Sequence, residues 1–259
     1  MTLTNKIMRC GWTAALASAL LLAGCVSDQD RQRLQDGYAA YNAKQYAKAS
    51  NIADNYIQSF PQDPHVDEAY YLRALTRLAA GDKAAAQDDL QQAYATASRP
   101  DLRAKSARAL GDLAYDRAAY AEAIKHYQQA LAANPQSPEA QTYYRLGAAV
   151  QAIGRWDEAR GPLNKVLILS DSGGWDDYAR RRLGVHSYSL QFGAFRDLEG
   201  ARRMARGLQQ QKIAAEVFKE QRGTSPLYTV RAGSYETLAL ANAAKERLRA
   251  SHIDGVVYP

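Results

Sequence analysis

The stretches YSLQFGAF (residues 188–195) and YTVRAGSY (residues 228–235) repeat each other forty residues apart. Both read Tyr-x-aliphatic-(Gln or Arg)-apolar-Gly-small-aromatic, and an amphipathic helical pattern follows each of them. A strand–turn–helix unit that occurs twice predicts a small α+β domain. Gln191 and Arg231 occupy the same position in the two copies, and we expect this polar pair to carry the function of the domain.

The pattern around these stretches predicts strands at residues 187–192, 213–219, 227–232 and 254–258, with helices at residues 198–211 and 237–250. The order βαββαβ is that of a ferredoxin-like sheet with both helices on one face. Side chains alternate between the two faces of a strand, so the apolar residues from Tyr188 and Tyr228 onward should face the helices. The opposite face, which we expect to be open to water, carries Ser189, Gln191, Thr229 and Arg231.

These motifs resemble the SPOR domain over residues 185–259. The resemblance implies binding of peptidoglycan glycan strands from which the stem peptides have been removed, often at sites of cell division. It also implies that the open sheet face carries the ligand, with Gln191 in the place of a binding glutamine. Ala194 stands where the family commonly has a serine, and Thr229 stands where a second basic residue is common. Both departures remove polar contacts.

The chemistry of the polar pair suits a glycan. Gln191 can donate and accept hydrogen bonds, and Arg231 can bind a carboxylate or a carbonyl group through two N–H groups. Each neutral hydrogen bond contributes only about 1 kcal/mol net, so a membrane anchor facing a polymeric wall would add avidity. The alternative is that Gln191 and Arg231 only make this sheet face compatible with water and bind no ligand. For Phe195 and Tyr235, just past the glycines, sugar stacking and core packing are both open.

Residues 31–184 have the pattern of helical hairpins. Small residues recur every 36 or 37 residues at Gly37, Ala74, Gly111 and Gly147, and again twelve residues later at Ala49, Ala86, Ala123 and Ala159. This spacing resembles the tetratricopeptide repeat (TPR), in which two antiparallel helices meet through small residues, with Gly81 and Gly154 at the turns. About four repeats are expected, which exceeds the roughly three that bury a continuous core. The pattern at residues 176–183 predicts a short helix that caps the last repeat.

The first helices of TPR hairpins line the concave groove that such solenoids use for binding. Projection of the repeat places seven residues near this groove: Tyr71, Leu78, Arg108, Asp112, Tyr115, Tyr144 and Gln151. Aromatic residues beside arginine are typical of interface hot spots, and we expect an envelope protein as the partner. The alternative is that these tyrosines fill space between helices while their hydroxyl groups reach water.

The N-terminus has the features of an export signal. Two basic residues precede an apolar run at residues 12–23, and the motif LAGC (residues 22–25) closes it. The run is too short for a membrane span, which needs about 20 residues. The closing motif resembles a bacterial lipobox, which implies cleavage before Cys25 and lipidation of that cysteine. Val26 after it implies sorting to the outer membrane. An ordinary signal peptide that ends near Ala23 is the alternative.

The chain is thus expected to divide into a signal peptide (residues 1–24), a TPR domain (residues 25–184) and a SPOR domain (residues 185–259). We expect a lipoprotein on the periplasmic face of the outer membrane that binds peptidoglycan and recruits a protein partner. The alternative is an assembly or secretion scaffold in which the TPR groove does the work and the SPOR domain is only a tether.

No sequence motif supports catalysis. The four histidines, at positions 65, 126, 186 and 252, lack metal-ligand spacing, and there is no G-x-S-x-G motif and no Gly-rich phosphate loop. We therefore expect no enzyme activity, no cofactor and no metal. The net charge of +6 would suit RNA, but RNA-binding sheets stack bases on aromatic residues. Because Tyr188, Phe192 and Tyr228 are expected to face the helices, nucleic acid is not an expected partner.

Overall fold

The computed structural model describes residues 28–169, 173–222 and 225–259. The predicted signal peptide, the predicted lipidation site Cys25 and part of the Gly-containing break at residues 170–174 lie outside the described residues. Within the described ranges, no helix is long and apolar enough to cross a membrane.

Nine α-helices come before the first strand in this part of the chain. They are α1 (Asp28–Asn42), α2 (Tyr46–Ser59), α3 (Val66–Ala79), α4 (Lys83–Thr96), α5 (Pro100–Asp116), α6 (Tyr120–Ala133), α7 (Ala140–Ala152), α8 (Trp156–Ile168) and α9 (Trp175–Leu183). The first eight pack as four consecutive hairpins, and the second helix of each hairpin also contacts the first helix of the next. This arrangement confirms the predicted TPR-like solenoid.

Small residues let the two helices of a hairpin approach, as the repeat spacing predicted. A Cβ atom on Gly111 of α5 would lie 2.6 Å from the ring of Tyr127 on α6, and one on Gly147 of α7 would lie 2.7 Å from Leu163 on α8. Ala123 of α6 is fully buried. Because protein interiors are close-packed, larger side chains at these positions would force the helices apart.

The turn inside each hairpin contains one residue in the left-handed backbone conformation. The φ angle is 83° at Gly81 and 82° at Gly154, and it is 60° at Lys44 and 61° at Ala118. The two predicted turn glycines therefore occupy positions that favour glycine. Lys44 and Ala118 adopt the same conformation with a Cβ atom, which costs about 1–2 kcal/mol each.

Helix α9 closes the solenoid by packing on α7 and α8, which confirms the predicted capping helix. Its Ala179 is fully buried, and the ring centroid of Trp175 lies 5.0 Å from that of Tyr144 on α7. Arg182, in the last turn, donates to the Tyr144 hydroxyl group at 3.0 Å and to Oε1 of Gln151 at 2.8 Å. Arg182 therefore ties the cap to the last hairpin.

The C-terminal domain is a four-stranded sheet with two helices. Its elements are β1 (Tyr188–Phe195), α10 (Leu198–Gln210), β2 (Ala215–Arg222), β3 (Ser225–Tyr235), α11 (Leu238–Arg249) and β4 (Val256–Tyr258). The strand order is β2-β3-β1-β4 with antiparallel neighbours throughout, which confirms the ferredoxin-like βαββαβ prediction. The core under α10 contains Ala201, Ala205, Leu208, Ala215 and Val230.

Strands β1 and β3 continue through their glycines, whereas the sequence pattern predicted that both strands end before them. Gln191 pairs with Arg231, but the register then shifts so that Gly193 pairs with Val230. This β-bulge leaves one extra residue on β1. It moves Gly193 to the helix side, where a Cβ atom would lie 2.7 Å from Sδ of Met204. The simple alternation of faces therefore holds on β1 only up to Gln191.

The C-terminal domain docks on the end of the solenoid through Trp156, the first residue of α8. The indole Nε1–H donates to the backbone oxygen of Glu236 at 2.8 Å, and the indole centroid lies 5.0 Å from that of Tyr188. Tyr188 is only 2% exposed, and Ala241 of α11 is fully buried in the same cluster. Sequence reasoning did not predict this docking, because the hydrogen bond joins residues 80 positions apart.

Candidate functional site

The predicted polar pair lies on the sheet face away from the helices. Gln191 of β1 is opposite Arg231 of β3, and Arg231 is also opposite Glu216 of β2. Directly opposed residues of antiparallel strands point to the same face, so these three side chains form a row across the sheet. The two copies of the repeated motif thus bring Gln191 and Arg231 together.

The guanidinium group of Arg231 is held by three side chains of the domain. Its Cζ atom lies 3.8 Å from the ring centroid of Tyr258 and 5.3 Å from that of Phe218, and the group forms an ion pair with Glu220. Burial lowers the pKa of Arg231 from its usual value, although an arginine stays charged at neutral pH. The side chain is 14% exposed. The predicted water-open Arg231 is therefore wrong, because cation–π contacts and an ion pair cover the group.

Thr229 lies beneath the same layer of side chains. In the ladder it is flanked by Ala194 of β1 and Phe218 of β2, and its relative exposure is 0%. The prediction that Thr229 is open to water is therefore wrong, because a short side chain on a central strand is shielded by its bulkier neighbour. Its Oγ1 atom has no hydrogen-bond partner within the described residues.

Two polar atoms of the predicted pair also lack protein partners. Oε1 of Gln191 and Nε of Arg231 are buried and form no hydrogen bond in the part of the chain that the structure describes. An unpaired buried polar group costs about 1–3 kcal/mol, so each such atom in a native protein calls for an explanation. A ligand hydroxyl group could donate to Gln191, and a ligand carbonyl or carboxylate could accept from Arg231.

A groove of about 490 Å³ opens beside Arg231 on this face. Its lining also includes Ser187, Ser189, Glu216, Phe218, Ser234 and Pro259. Ser189 is half-buried and forms part of the groove wall, whereas Gln191 lies outside the lining, next to Arg231 in the ladder. The groove therefore offers hydroxyl groups, a carboxylate and an aromatic ring beside a cation.

Phe195 and Tyr235 lie on the helix side of the sheet. Phe195 packs against the core under α10, and Tyr235 packs into the docking cluster at the solenoid. Each ring folds back over the glycine two positions earlier: a Cβ atom on Gly193 would lie 2.8 Å from the Phe195 ring, and one on Gly233 would lie 2.5 Å from the Tyr235 ring. Of the two alternatives, core packing therefore holds for both residues, and neither ring faces a ligand on the open side of the sheet.

Of the predicted solenoid residues, Tyr71 and Leu78 take part in packing between hairpins. Both are half-buried and contact the cluster that includes Leu90 and Leu110. Burial raises the pKa of Tyr71 above its usual value. These two side chains thus join helices while a part of each remains exposed.

Arg108 and Asp112 belong to a charged network between neighbouring hairpins. Arg108 Nε lies 2.9 Å from the Glu139 carboxylate, and its Nη1 lies 3.3 Å from Asp112. Asp112 in turn accepts a hydrogen bond of 2.8 Å from the Tyr127 hydroxyl group. The side chains of Arg108 and Asp112 are 20% and 30% exposed. A partner protein could therefore contact both residues, but their charges are already paired within the solenoid.

The remaining groove residues lie near the cap. The Tyr115 ring stacks edge-on against Tyr120 at 5.1 Å, and Tyr144 is partly covered by α9. Gln151 is 1% exposed and donates to the backbone oxygen of Arg182 at 3.1 Å. The prediction that Gln151 lines an open groove is wrong, because α9 packs over it.

The structure thus defines a TPR-like solenoid whose last hairpin carries a ferredoxin-like domain. Three family models match parts of the chain: the SPOR domain over residues 186–259, an outer membrane lipoprotein family over residues 25–104, and a TPR repeat over residues 111–159. These matches confirm the resemblances that the motifs carried. They support an envelope lipoprotein with a protein-interaction role, and the matched families are of binding and scaffold type.

Solved structures agree on the helical fold. A structure of MamA is similar with a TM-score of 0.50 and 17% identity, covering 72% of this chain and 90% of MamA. The apo form of RapI is similar with a TM-score of 0.52 and 15% identity, covering 62% of this chain and 63% of RapI. At such identities the likeness shows the fold alone. A search of curated protein sequences found no significant match.

Sequence reasoning missed the residues that surround Arg231. Phe218 and Glu220 come from β2, and Tyr258 comes from β4. Alternation could have found the first two, because Ala215 and Val217 are the apolar partners in the same strand and point to the core. Alternation could not have indicated the position of Tyr258, because β4 has only three residues. Among the described residues, no group of three or more His, Cys, Asp or Glu side chains could hold a metal ion.

Proposed function

We propose that this protein is a non-catalytic envelope lipoprotein that binds denuded peptidoglycan glycan strands through its C-terminal domain. Its solenoid recruits a protein partner in cell-wall or cell-division processes. The observation that carries the proposal is the sheet face of the SPOR-matched domain, where Oε1 of Gln191 and Nε of Arg231 lack partners within the described residues beside a groove of about 490 Å³. Glycan strands supply hydroxyl, acetamide and carboxylate groups that match both atoms.

The proposed ligand chemistry also fits the hydrogen-bonding groups of the groove. Arg231 is stacked on Tyr258 and paired with Glu220, so a sugar acetamide or lactyl carboxylate would bind to the part of Arg231 that lines the groove and leave the stack in place. Ser189 in the groove wall supplies a further hydroxyl group. Each neutral hydrogen bond contributes about 1 kcal/mol, so a polymeric ligand and a fixed anchor would supply the avidity.

For localisation, we place the protein on the periplasmic face of the outer membrane, anchored through lipids on Cys25. The match of residues 25–104 to an outer membrane lipoprotein family supports this location. Two or more acyl chains are enough for stable attachment to a membrane. Metabolic labelling with a fatty acid analogue should mark the native chain and leave a Cys25→Ser variant unmarked.

Co-sedimentation with purified sacculi tests the glycan proposal. Residues 26–259, which omit only the predicted signal and the lipidated cysteine, should bind more strongly to amidase-treated sacculi than to untreated ones. A Gln191→Ala/Arg231→Ala variant should lose about tenfold or more in affinity, since two ligand contacts are removed. The matched control is Arg202→Ala/Gln211→Ala. Arg202 is an exposed residue of α10 and Gln211 follows that helix, and both should leave binding unchanged. Failure of the wild-type chain to bind either preparation would contradict the proposal.

A second candidate function is an envelope assembly scaffold in which the C-terminal domain is only a tether. The observation that favours it is the lipoprotein-family match, which covers the first hairpins and not the sheet. This candidate predicts that removal of the solenoid abolishes the cellular phenotype of the protein while Arg231→Ala is harmless. The glycan proposal predicts that both changes disturb it.

A further inference from the structure

Phe218 is an exposed aromatic residue on the same face as the predicted polar pair. It is 41% exposed and lies on the edge strand β2, directly opposite Thr229. Its ring forms part of the groove wall together with Ser189 and Arg231. Phe195 and Tyr235, the aromatic residues of the repeated motif, lie on the other side of the sheet and cannot reach this groove.

We propose that Phe218 is the platform on which a sugar ring of the bound glycan stacks. This inference rests on the proposed function. The ring exposes an apolar surface in a polar groove, and a pyranose ring has an apolar C–H face with hydroxyl groups around its edge. A site that recognises such a ligand combines one apolar platform with a few polar groups that fix orientation. Ser189 and Arg231 are the polar groups beside this platform.

The surroundings hold the Phe218 ring in a defined position. The Arg231 guanidinium lies 5.3 Å from its centroid on one side, and Arg231 is itself stacked on Tyr258 at 3.8 Å. Aromatic side chains also lose little conformational freedom on binding, because they have only two side-chain torsions. The platform is therefore pre-organised next to the hydrogen-bonding atoms that lack partners in the described chain.

An alternative role for Phe218 is to cover Thr229 without touching a ligand. The two roles separate in a Phe218→Leu variant, because leucine still covers Thr229 but offers no flat aromatic face. Phe218→Trp keeps the face and adds a fluorescent reporter. Tyr178→Leu is the matched control, since Tyr178 is a 50% exposed aromatic residue on the solenoid cap.

The experiment measures binding of residues 26–259 to amidase-treated sacculi. Phe218→Leu should lower the affinity about fivefold with an unchanged unfolding midpoint, whereas Phe218→Trp and Tyr178→Leu should stay within about twofold of the wild type. The Phe218→Trp variant should also show a shift of its emission to shorter wavelength on binding, beyond any change in the wild-type spectrum.

Wild-type affinity in Phe218→Leu would overturn the inference and leave the proposed function standing. If Phe218→Leu unfolds more easily, the tryptophan variant decides: a spectrum that does not respond to bound sacculi overturns the inference. A wild-type chain that does not bind treated sacculi would overturn the proposed function and this inference together.

Discussion

The two copies of the repeated motif share a sequence pattern but have different surroundings. Tyr188, which opens the first copy, is 2% exposed and packs on Trp156 of the solenoid, whereas Tyr228, which opens the second, packs into the core of its own domain. The polar positions differ as well. Gln191 keeps an unpartnered buried oxygen within the described chain, while Arg231 is stacked and ion-paired.

This difference shows what a duplicated sequence specifies and what it leaves to its neighbours. Both copies form a strand and a following helix, because these depend on residues close in the chain. The register shifts beside both glycines depend instead on the pairing between β1 and β3. The role of each side chain depends on the element packed against it. The first copy faces the solenoid and joins two domains, and the second copy lies between β2 and β1 and builds the charged layer of the candidate site.

The largest difference in the free energy of unfolding is expected between Gly233→Ala and Gly193→Ala, the alanine substitutions of the two motif glycines. Gly233 has φ +81°, and a Cβ atom there would lie 2.5 Å from the Tyr235 ring; Gly193 has no such backbone conformation, and its nearest contact at 2.7 Å is Met204 Sδ. Gly233→Ala should lower the free energy of unfolding by about 3 kcal/mol, since strain and overpacking add. Gly193→Ala should cost less, about 1–2 kcal/mol, because its contacts with Met204 Sδ and with the Phe195 ring at 2.8 Å add overpacking without backbone strain.

Urea unfolding of the three chains measures this contrast. Gly207→Ala in α10 is the control, because no atom lies within 4 Å of the added Cβ. It should raise the unfolding free energy by about 0.5–1 kcal/mol through helix propensity. Equal losses in Gly233→Ala and Gly193→Ala would contradict this prediction and show that the left-handed backbone at Gly233 adds no strain.

The next prediction concerns how the stability of the protein depends on pH through the buried hydroxyl group of Tyr188, in the first copy. Burial raises the pKa of Tyr188 to about 12, and the nearby Arg182 opposes this shift only in part. Because the pKa in the folded state lies above the unfolded value, the stability from Tyr188 is fully present below pH 10.0 and is lost as the pH rises through about 12. The loss should reach about 2–3 kcal/mol.

Tyr188→Phe removes the titrating group and should make the unfolding free energy fall less steeply between pH 10 and pH 12. Urea unfolding at several pH values in this range measures the slopes. Because the other buried tyrosines remain in both chains, the difference between the two slopes reports on Tyr188. Parallel curves for the wild type and Tyr188→Phe would show that this hydroxyl group is not buried at the domain junction.

A smaller effect is expected from the hydrogen bond that docks the first copy. Trp156→Phe keeps most of the ring that meets Tyr188 but removes the 2.8 Å bond to the Glu236 backbone oxygen. We expect a loss of about 1 kcal/mol and faster hydrogen exchange in β1 and at the start of α11. Trp175→Phe is the control, since Trp175 packs on Tyr144 at 5.0 Å and belongs to the cluster of the last hairpin rather than to the docking cluster around Trp156. Equal rates of hydrogen exchange in Trp156→Phe and Trp175→Phe would show that Trp156 does not hold the C-terminal domain on the solenoid.

Sequence reasoning reached the parts of this molecule that depend on local pattern. The helical hairpins, the cap and the βαββαβ order follow from periodicity and turn residues, and the close approach at Gly111 follows from the spacing of small residues. Burial of Thr229 and of Gln151 was missed, because each depends on an element distant in the chain: the neighbouring strand β2, whose Phe218 is opposite Thr229, and helix α9, which packs over Gln151. The bulge at Gly193 was also not predicted, because register is set by pairing between strands that are distant in the chain.

The smallest predicted effect is on ligand affinity, and it shows whether Glu220 weakens ligand binding at Arg231 of the second copy. Glu220 pairs with Arg231 and accepts a hydrogen bond from Tyr258 at 3.2 Å, so it competes with any anionic group of a ligand for the same cation. Glu220→Gln keeps the size and the hydrogen bond but removes the charge. A partly exposed ion pair contributes about 0.5–1 kcal/mol, so the affinity for amidase-treated sacculi should rise about two- to fivefold. Glu199→Gln on α10, which pairs with Arg202 at 2.9 Å, should not change it. A fall in affinity with Glu220→Gln would mean that Glu220 holds Arg231 in its binding position, and that the second copy, like the first, works only through its neighbours.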